Sequence, residues 1–165
     1  MQVDTRTILY KVAKMFGLKR GTTEERLKLQ KTIYLLQAYG LRLGYGFSWY
    51  RYGPYSQDLV YDAYTVLFSE KDKYSEDSRS WQFSENTLTR FDRFRRICGN
   101  VLSDPKRLEL AASVDFVRKT WHQGATRPKM PRVFKTYKQR YFNNDPIQDS
   151  EINEAFDLIV RLKPS

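Results

Sequence analysis

His122 and Cys98 are the single histidine and the single cysteine of this chain, and they bound the chemistry open to it. A zinc site with the usual nitrogen and sulfur ligands needs more such side chains than these two. Cys98 falls on the apolar stripe of a predicted helix, where a thiol is buried and inert. A Ser-His-Asp triad would depend on His122, and the G-x-S-x-G elbow is missing. Placed at a helix end before Gly124, His122 reads more simply as a C-terminal capping residue or as part of a basic surface. Gly40-Leu41-Arg42-Leu43-Gly44-Tyr45-Gly46 lacks the Gly-Lys-Ser/Thr of a phosphate loop and leads into a strand, so no helix N-terminus meets the phosphate. Asp58 and Asp62 lie one helical turn apart and could share a divalent ion, although that spacing is common on solvated helix faces. The inventory predicts a protein that catalyses no reaction, needs no cofactor or metal, and works by binding.

What it binds is suggested first by charge. The formal net charge is +10 and the pI about 9.7, which favours a polyanion or an acidic protein surface as partner. Between Asp115 and Asp145 there is no acid, and the interval holds Arg118, Lys119, Arg127, Lys129, Arg132, Lys135, Lys138 and Arg140, interleaved with Trp121, Phe134 and Tyr137. Arg90, Arg93 and Arg96 add a cationic stripe at helical spacing. A solvated helix face accounts for these charges as well as a nucleic-acid site does. If they neutralise phosphates, binding falls steeply with salt. The chain is also rich in aromatics, with 12 Tyr, 10 Phe and 3 Trp. Tyr and Trp suit half-wet surfaces because one end of the ring is apolar and the other polar.

The elements that must position these residues are mostly helical. Asp4 or Thr5 caps a first helix with Ile8, Leu9, Val12, Ala13 and Phe16 on one stripe, closed by Gly17. Thr22-Thr23-Glu24-Glu25 has the form of a capping box. The helix it opens runs to Gly40 and is nearly all apolar from Ile33 to Leu36, which makes it central, with Arg26 and Lys31 reaching solvent. Phe47–Tyr52 is of strand type and is closed by a tight Gly53-Pro54 turn. Ser56 caps a third helix whose Leu59, Val60, Ala63, Tyr64 and Leu67 face inward. Residues 69–80 read as a loop, and Trp81 and Phe83 as a short strand. Further helices are predicted through Leu88–Cys98, from Asp104-Pro105 to Trp121, around Val133–Tyr141, and around Ile152–Ile159, with Pro128 and Pro131 bounding a loop. The expected fold is mainly α with a small β element, a single compact domain over residues 1–165 with about six or seven helices. No apolar stretch approaches the roughly 18 residues that span a bilayer. The first residues lack the features of a signal peptide. With only one cysteine, the expectation is a cytoplasmic protein without membrane association.

Lys28-Leu29-Gln30-Lys31 followed by Ile33-Tyr34-Leu35-Leu36, and then Tyr50-Arg51-Tyr52-Gly53-Pro54-Tyr55-Ser56, resembles the pattern of the SocA/Panacea antitoxin domain, and most closely its YwgA-like relatives. Leu108–Ser113 and Ile152–Ala155 are similar to the C-terminal helices of those relatives. The resemblance implies a non-enzymatic helical domain of toxin–antitoxin or phage-defence loci that engages a protein partner, a toxin or a defence protein. Carried over, its residues of interest are Lys28, Gln30, Tyr52, Gly53, Pro54 and Tyr55, as binding residues or as builders of the fold. The high positive charge departs from that pattern. It keeps open a basic nucleic-acid-binding protein, for DNA or RNA, that uses the 118–140 tract.

Overall fold

A computed structural model describes residues 3–163. Among them are eight α-helices and one two-stranded antiparallel sheet, gathered on a single core. Helix α1 (Thr5–Met15) starts where the Asp4 carboxylate accepts the Thr7 amide at 2.7 Å. Helix α2 (Thr23–Tyr39) starts at a reciprocal capping box. The Thr22 hydroxyl accepts the Glu25 amide, and the Glu25 carboxylate accepts the Thr22 amide. Each cap satisfies amides that a helix start leaves without partners. From Leu29 to Leu36 every α2 side chain is buried, as expected of a helix surrounded by other elements.

Helix α6 (Pro105–Thr120), capped by Asp104, is the second buried axis. It packs on α2, on the sheet and on α8 (Asp149–Leu162). Full burial of a side chain such as Ile33 or Leu108 is worth about 2 kcal/mol, and residues of α1, α2, α6 and α8 supply most of these. Helix α5 (Glu85–Cys98) closes one side, with Phe91, Phe94 and Cys98 facing in.

Several expectations change. Residues 69–80 are not a loop. A π-helical turn (Thr65–Ser69) extends α3 (Gln57–Tyr64) and leads into helix α4 (Lys71–Ser78). Helix α4 has almost no apolar periodicity, and buried Tyr74 anchors it in a segment that packs on α1. Trp81 and Phe83 form no strand. Their rings meet edge-on at 4.6 Å, and Phe83 packs in the same way on Phe91 at 5.0 Å. Strand β1 is Ser48–Tyr50, and its partner β2 is Gly53–Tyr55, with Trp49 opposite Pro54. The Gly-Pro pair therefore lies within a strand, and the turn falls at Arg51-Tyr52. Pro54 is tolerated because a two-stranded sheet consists only of edges. Helix α7 is short (Met130–Lys135) and has Pro131 in its first turn, so Tyr137 and Tyr141 lie beyond it. Among the described residues no helix is long and apolar enough to cross a membrane.

Candidate partner-binding groove

The hairpin has little cohesion of its own, because two short strands cannot stand alone in water. It is held from behind by buried polar side chains. Gln30 grips Ser56 twice, its amide nitrogen donating to the Ser56 carbonyl at 2.9 Å and its oxygen accepting the Ser56 amide at 3.0 Å. The Lys31 ammonium donates to the Pro54 carbonyl at 2.6 Å. Lys138, 87 residues further along the chain, donates to the Arg51 carbonyl at 3.3 Å. Glu109 of α6 stands behind both lysines, 3.6 Å from the Lys138 nitrogen, and its other oxygen accepts the Phe142 amide at 3.0 Å.

Lys31 was expected to reach solvent, yet it is 2% exposed. A lysine is seldom buried unless paired, and here the strand carbonyl supplies the partner. Burial lowers its pKa to about 7, a fall that Glu109 opposes and Lys138 reinforces. Burial likewise pushes the Glu109 carboxyl up to about 7, against the pull of Lys138 and of the Phe142 amide. The Lys138 ammonium is lowered by the same loss of hydration, with Glu109 opposing. Gly53 completes the arrangement. Its φ is +94°, and a Cβ there would meet the Ser113 hydroxyl at 2.2 Å. Only glycine lets the strand approach α6 so closely.

The outer side of this joint is a groove of about 380 Å3 between α2, the hairpin and α3. Leu27, Tyr50, Tyr55 and Val60 give it apolar walls, while Arg20, Arg26 and Arg51 stand on its margin, and no carboxylate lines it. Beyond the groove, α3 and its π-helical extension present Tyr61 (63% exposed), Tyr64 and Phe68 (62% exposed). These fall at i, i+3 and i+7, on one helical face. The Arg20 guanidinium lies 4.9 Å from the Tyr64 ring centre and 5.7 Å from that of Phe68, a cation–π arrangement. Arg20 thereby joins the groove to the aromatic face.

Of the residues singled out by the motifs, Gln30, Tyr52, Gly53 and Tyr55 line the groove, and Pro54 contributes the carbonyl held by Lys31. Lys28 is half-buried and makes none of the bonds that tie α2 to the hairpin. Lys31, Arg20 and Phe68 were not anticipated as site residues, and Tyr64, expected to face inward, is exposed because Leu59 and Ala63 take the buried face of α3. The motif KLQK held the signal for Lys31 in its second lysine. The other three belong to the site only because the fold brings the 18–22 loop and α3 beside the hairpin.

Half of the basic tract is paired with acids. Lys119 pairs with Asp115, Arg127 with Asp157 through two bonds of 2.8 and 3.0 Å, Lys135 with Asp149, and Lys138 with Glu109. Arg118 lies over the Phe156 ring, and Arg140 donates to the Asn144 carbonyl. Lys129 and Arg132 are exposed without an acidic partner among the described residues. The α5 arginines are largely spent on helix ends. Arg90 donates to the carbonyl of Tyr39 at the end of α2, Arg93 to Arg161 in the last turn of α8, and Arg95 to Met15 at the end of α1. Those carbonyls lack helical partners and carry the negative end of the helix dipole. Arg96 alone in this group points to solvent unengaged among the described residues.

Asp62 accepts from Arg6 at 3.0 Å and from the Tyr45 hydroxyl at 2.7 Å, whereas Asp58 is exposed. No group of three acidic, histidine or cysteine side chains suited to a metal occurs among the described residues. His122 shares a 2.7 Å hydrogen bond with the Tyr137 hydroxyl, and Tyr137 stacks on Trp121. Cys98 is buried, which pushes its thiol up to about 12. No protein-family model matches the chain, and no curated protein matches it.

Proposed function

We propose that this protein is a non-enzymatic, antitoxin-like or defence-associated binding protein whose partner is another protein, docked along the α2–hairpin groove. The observation that carries the reading is the continuity of an apolar groove, an arginine margin and an unpartnered aromatic helix face. The occupant fitting that chemistry is an acidic segment whose apolar side chains enter the groove while its carboxylates meet Arg20, Arg26 and Arg51. Tyr and Arg are the residue types that most often carry binding energy at interfaces. The resemblance of Lys28–Leu36 and Tyr50–Ser56 to the SocA/Panacea pattern supports a toxin or defence protein as that partner. The two segments meet through the Gln30–Ser56 and Lys31–Pro54 bonds.

Nucleic-acid binding through the 118–140 tract has less support, because half of its cations are matched by acids. The test is peptide selection on the immobilised chain, followed by the purified product of the adjacent gene. We expect binders rich in Asp and Glu around apolar anchors, weakened at least about tenfold by Tyr64→Ala or Arg51→Glu and unaffected by Arg132→Glu. Binders indifferent to Tyr64→Ala and to Arg51→Glu but lost in Arg132→Glu would overturn the reading.

A further inference from the structure

A second concavity lies on another face of the molecule, between the end of α5, α6 and α8. It measures about 500 Å3, and its floor is apolar, formed by Val101, Leu110, Ala111 and Leu158. Arg161 stands at one end and is shared with an adjoining shallow depression lined by Arg93, Arg96 and Ile97. The Arg93 guanidinium is oriented by its 3.1 Å bond to the Arg161 carbonyl. Neither Arg96 nor Arg161 has a carboxylate within ion-pair distance among the described residues.

Acids also line the cleft, and two of the three are committed elsewhere. Glu151 accepts the Gln148 amide of the α8 cap, and Asp157 is held by Arg127. Glu154 is exposed and unpaired among the described residues, near Arg107. The cleft therefore has a cationic end, an apolar floor and, at its other side, a carboxylate able to accept hydrogen bonds. Guanidinium forks match phosphate oxygens in geometry as well as in charge, and the volume lies in the usual range for small ligands.

We propose that this cleft binds a nucleotide, its phosphates on Arg96 and Arg161 with Arg93 behind them, and its base on the apolar floor facing Glu154. A free nucleotide and the 5′-phosphorylated end of a nucleic acid share this chemistry. The cleft shares no lining residue with the groove.

Calorimetric titration of the full chain with ATP, adenosine, inorganic pyrophosphate and a 5′-phosphorylated oligonucleotide tests it. Saturable ATP binding is expected, weakened by about tenfold or more in Arg96→Glu and in Arg161→Glu, since each removes one charged phosphate contact. Adenosine should bind more weakly than ATP, and pyrophosphate should compete with ATP. Leu158→Arg should reduce affinity for ATP more than for pyrophosphate, which has no base to lose. An oligonucleotide preferred over ATP and sensitive to the same substitutions would assign the site to a chain end. Circular dichroism melts verify that the variants are folded. Absence of saturable binding by both ATP and the oligonucleotide, or binding unchanged in Arg161→Glu, would overturn the proposal. Equal loss in Arg20→Glu would instead assign the ligand to the groove.

Discussion

Gly53 and Ser113 touch across the joint between hairpin and α6, so closely that a methyl group on Gly53 would stand 2.2 Å from the Ser113 hydroxyl oxygen. Two costs follow for any side chain at this position, one steric and one from the positive φ. Gly53→Ala should destabilise the fold by about 3 kcal/mol, and Gly53→Val by more. Combining Gly53→Ala with Ser113→Gly should return only part of the loss, because the backbone cost of about 1–2 kcal/mol remains. Chemical denaturation of the single and double variants measures both. An unaltered midpoint for Gly53→Ala would refute the close approach.

Lys31 and Glu109, both buried, predict how stability depends on pH. Lys31 is depressed from 10.5 to about 7, so over that interval the unfolded chain holds a proton that the folded chain has released. Stability from this group is present above the unfolded value and is lost as pH falls through about 7. Glu109 is raised from 4.5 to about 7, so its contribution is present below 4.5 and is lost as pH rises through about 7. Together they place a local minimum of stability near neutrality. Lys31→Met should flatten the alkaline rise, and Glu109→Gln the acidic one. Urea midpoints from pH 4.5 to 10 test this, and parallel curves for the native chain and Lys31→Met above pH 7 would show the assignment to be wrong.

The arginines of α5 should divide by function rather than by position. Arg95 caps α1 and lies 4.4 Å from the Phe16 ring centre. Its replacement by alanine should therefore cost about 1 kcal/mol. Arg90→Ala should cost a comparable amount through the end of α2. Arg96→Ala, which touches no helix end, should leave the melting temperature within error. Equal effects at the three positions would contradict the capping roles.

Where apolar residues recur at helical spacing, the sequence was readable. Leu9, Val12 and Ala13 mark α1, and Ile152, Phe156 and Ile159 mark α8, because burial of one stripe is what selects those residues. Helix α4 escaped because Lys71–Ser78 has one buried aromatic and no stripe, and its helicity comes from packing on α1. The hairpin register escaped because Gly-Pro ordinarily marks a turn, while its place in β2 depends on Ser113 sixty residues away. Lys31 escaped for a similar reason, since its partner is a carbonyl that no local pattern announces. The arginine stripe of α5 was visible as charge, but the acceptors of Arg90 and Arg93 lie at the ends of two other helices. Charge on a helix face has the same appearance in sequence whether it awaits a phosphate or closes a neighbouring helix.

Lys138 reaches back 87 residues to the Arg51 carbonyl, and this sets an order of events during synthesis. The groove walls from α2, the hairpin and α3 leave the ribosome long before Lys138 and the Phe142 amide that orients Glu109. Until those residues arrive, the hairpin is fastened from behind by Gln30 and Lys31 alone. The joint behind the groove is thus complete only once residue 142 has emerged, so the N-terminal half of the chain does not finish its own hairpin.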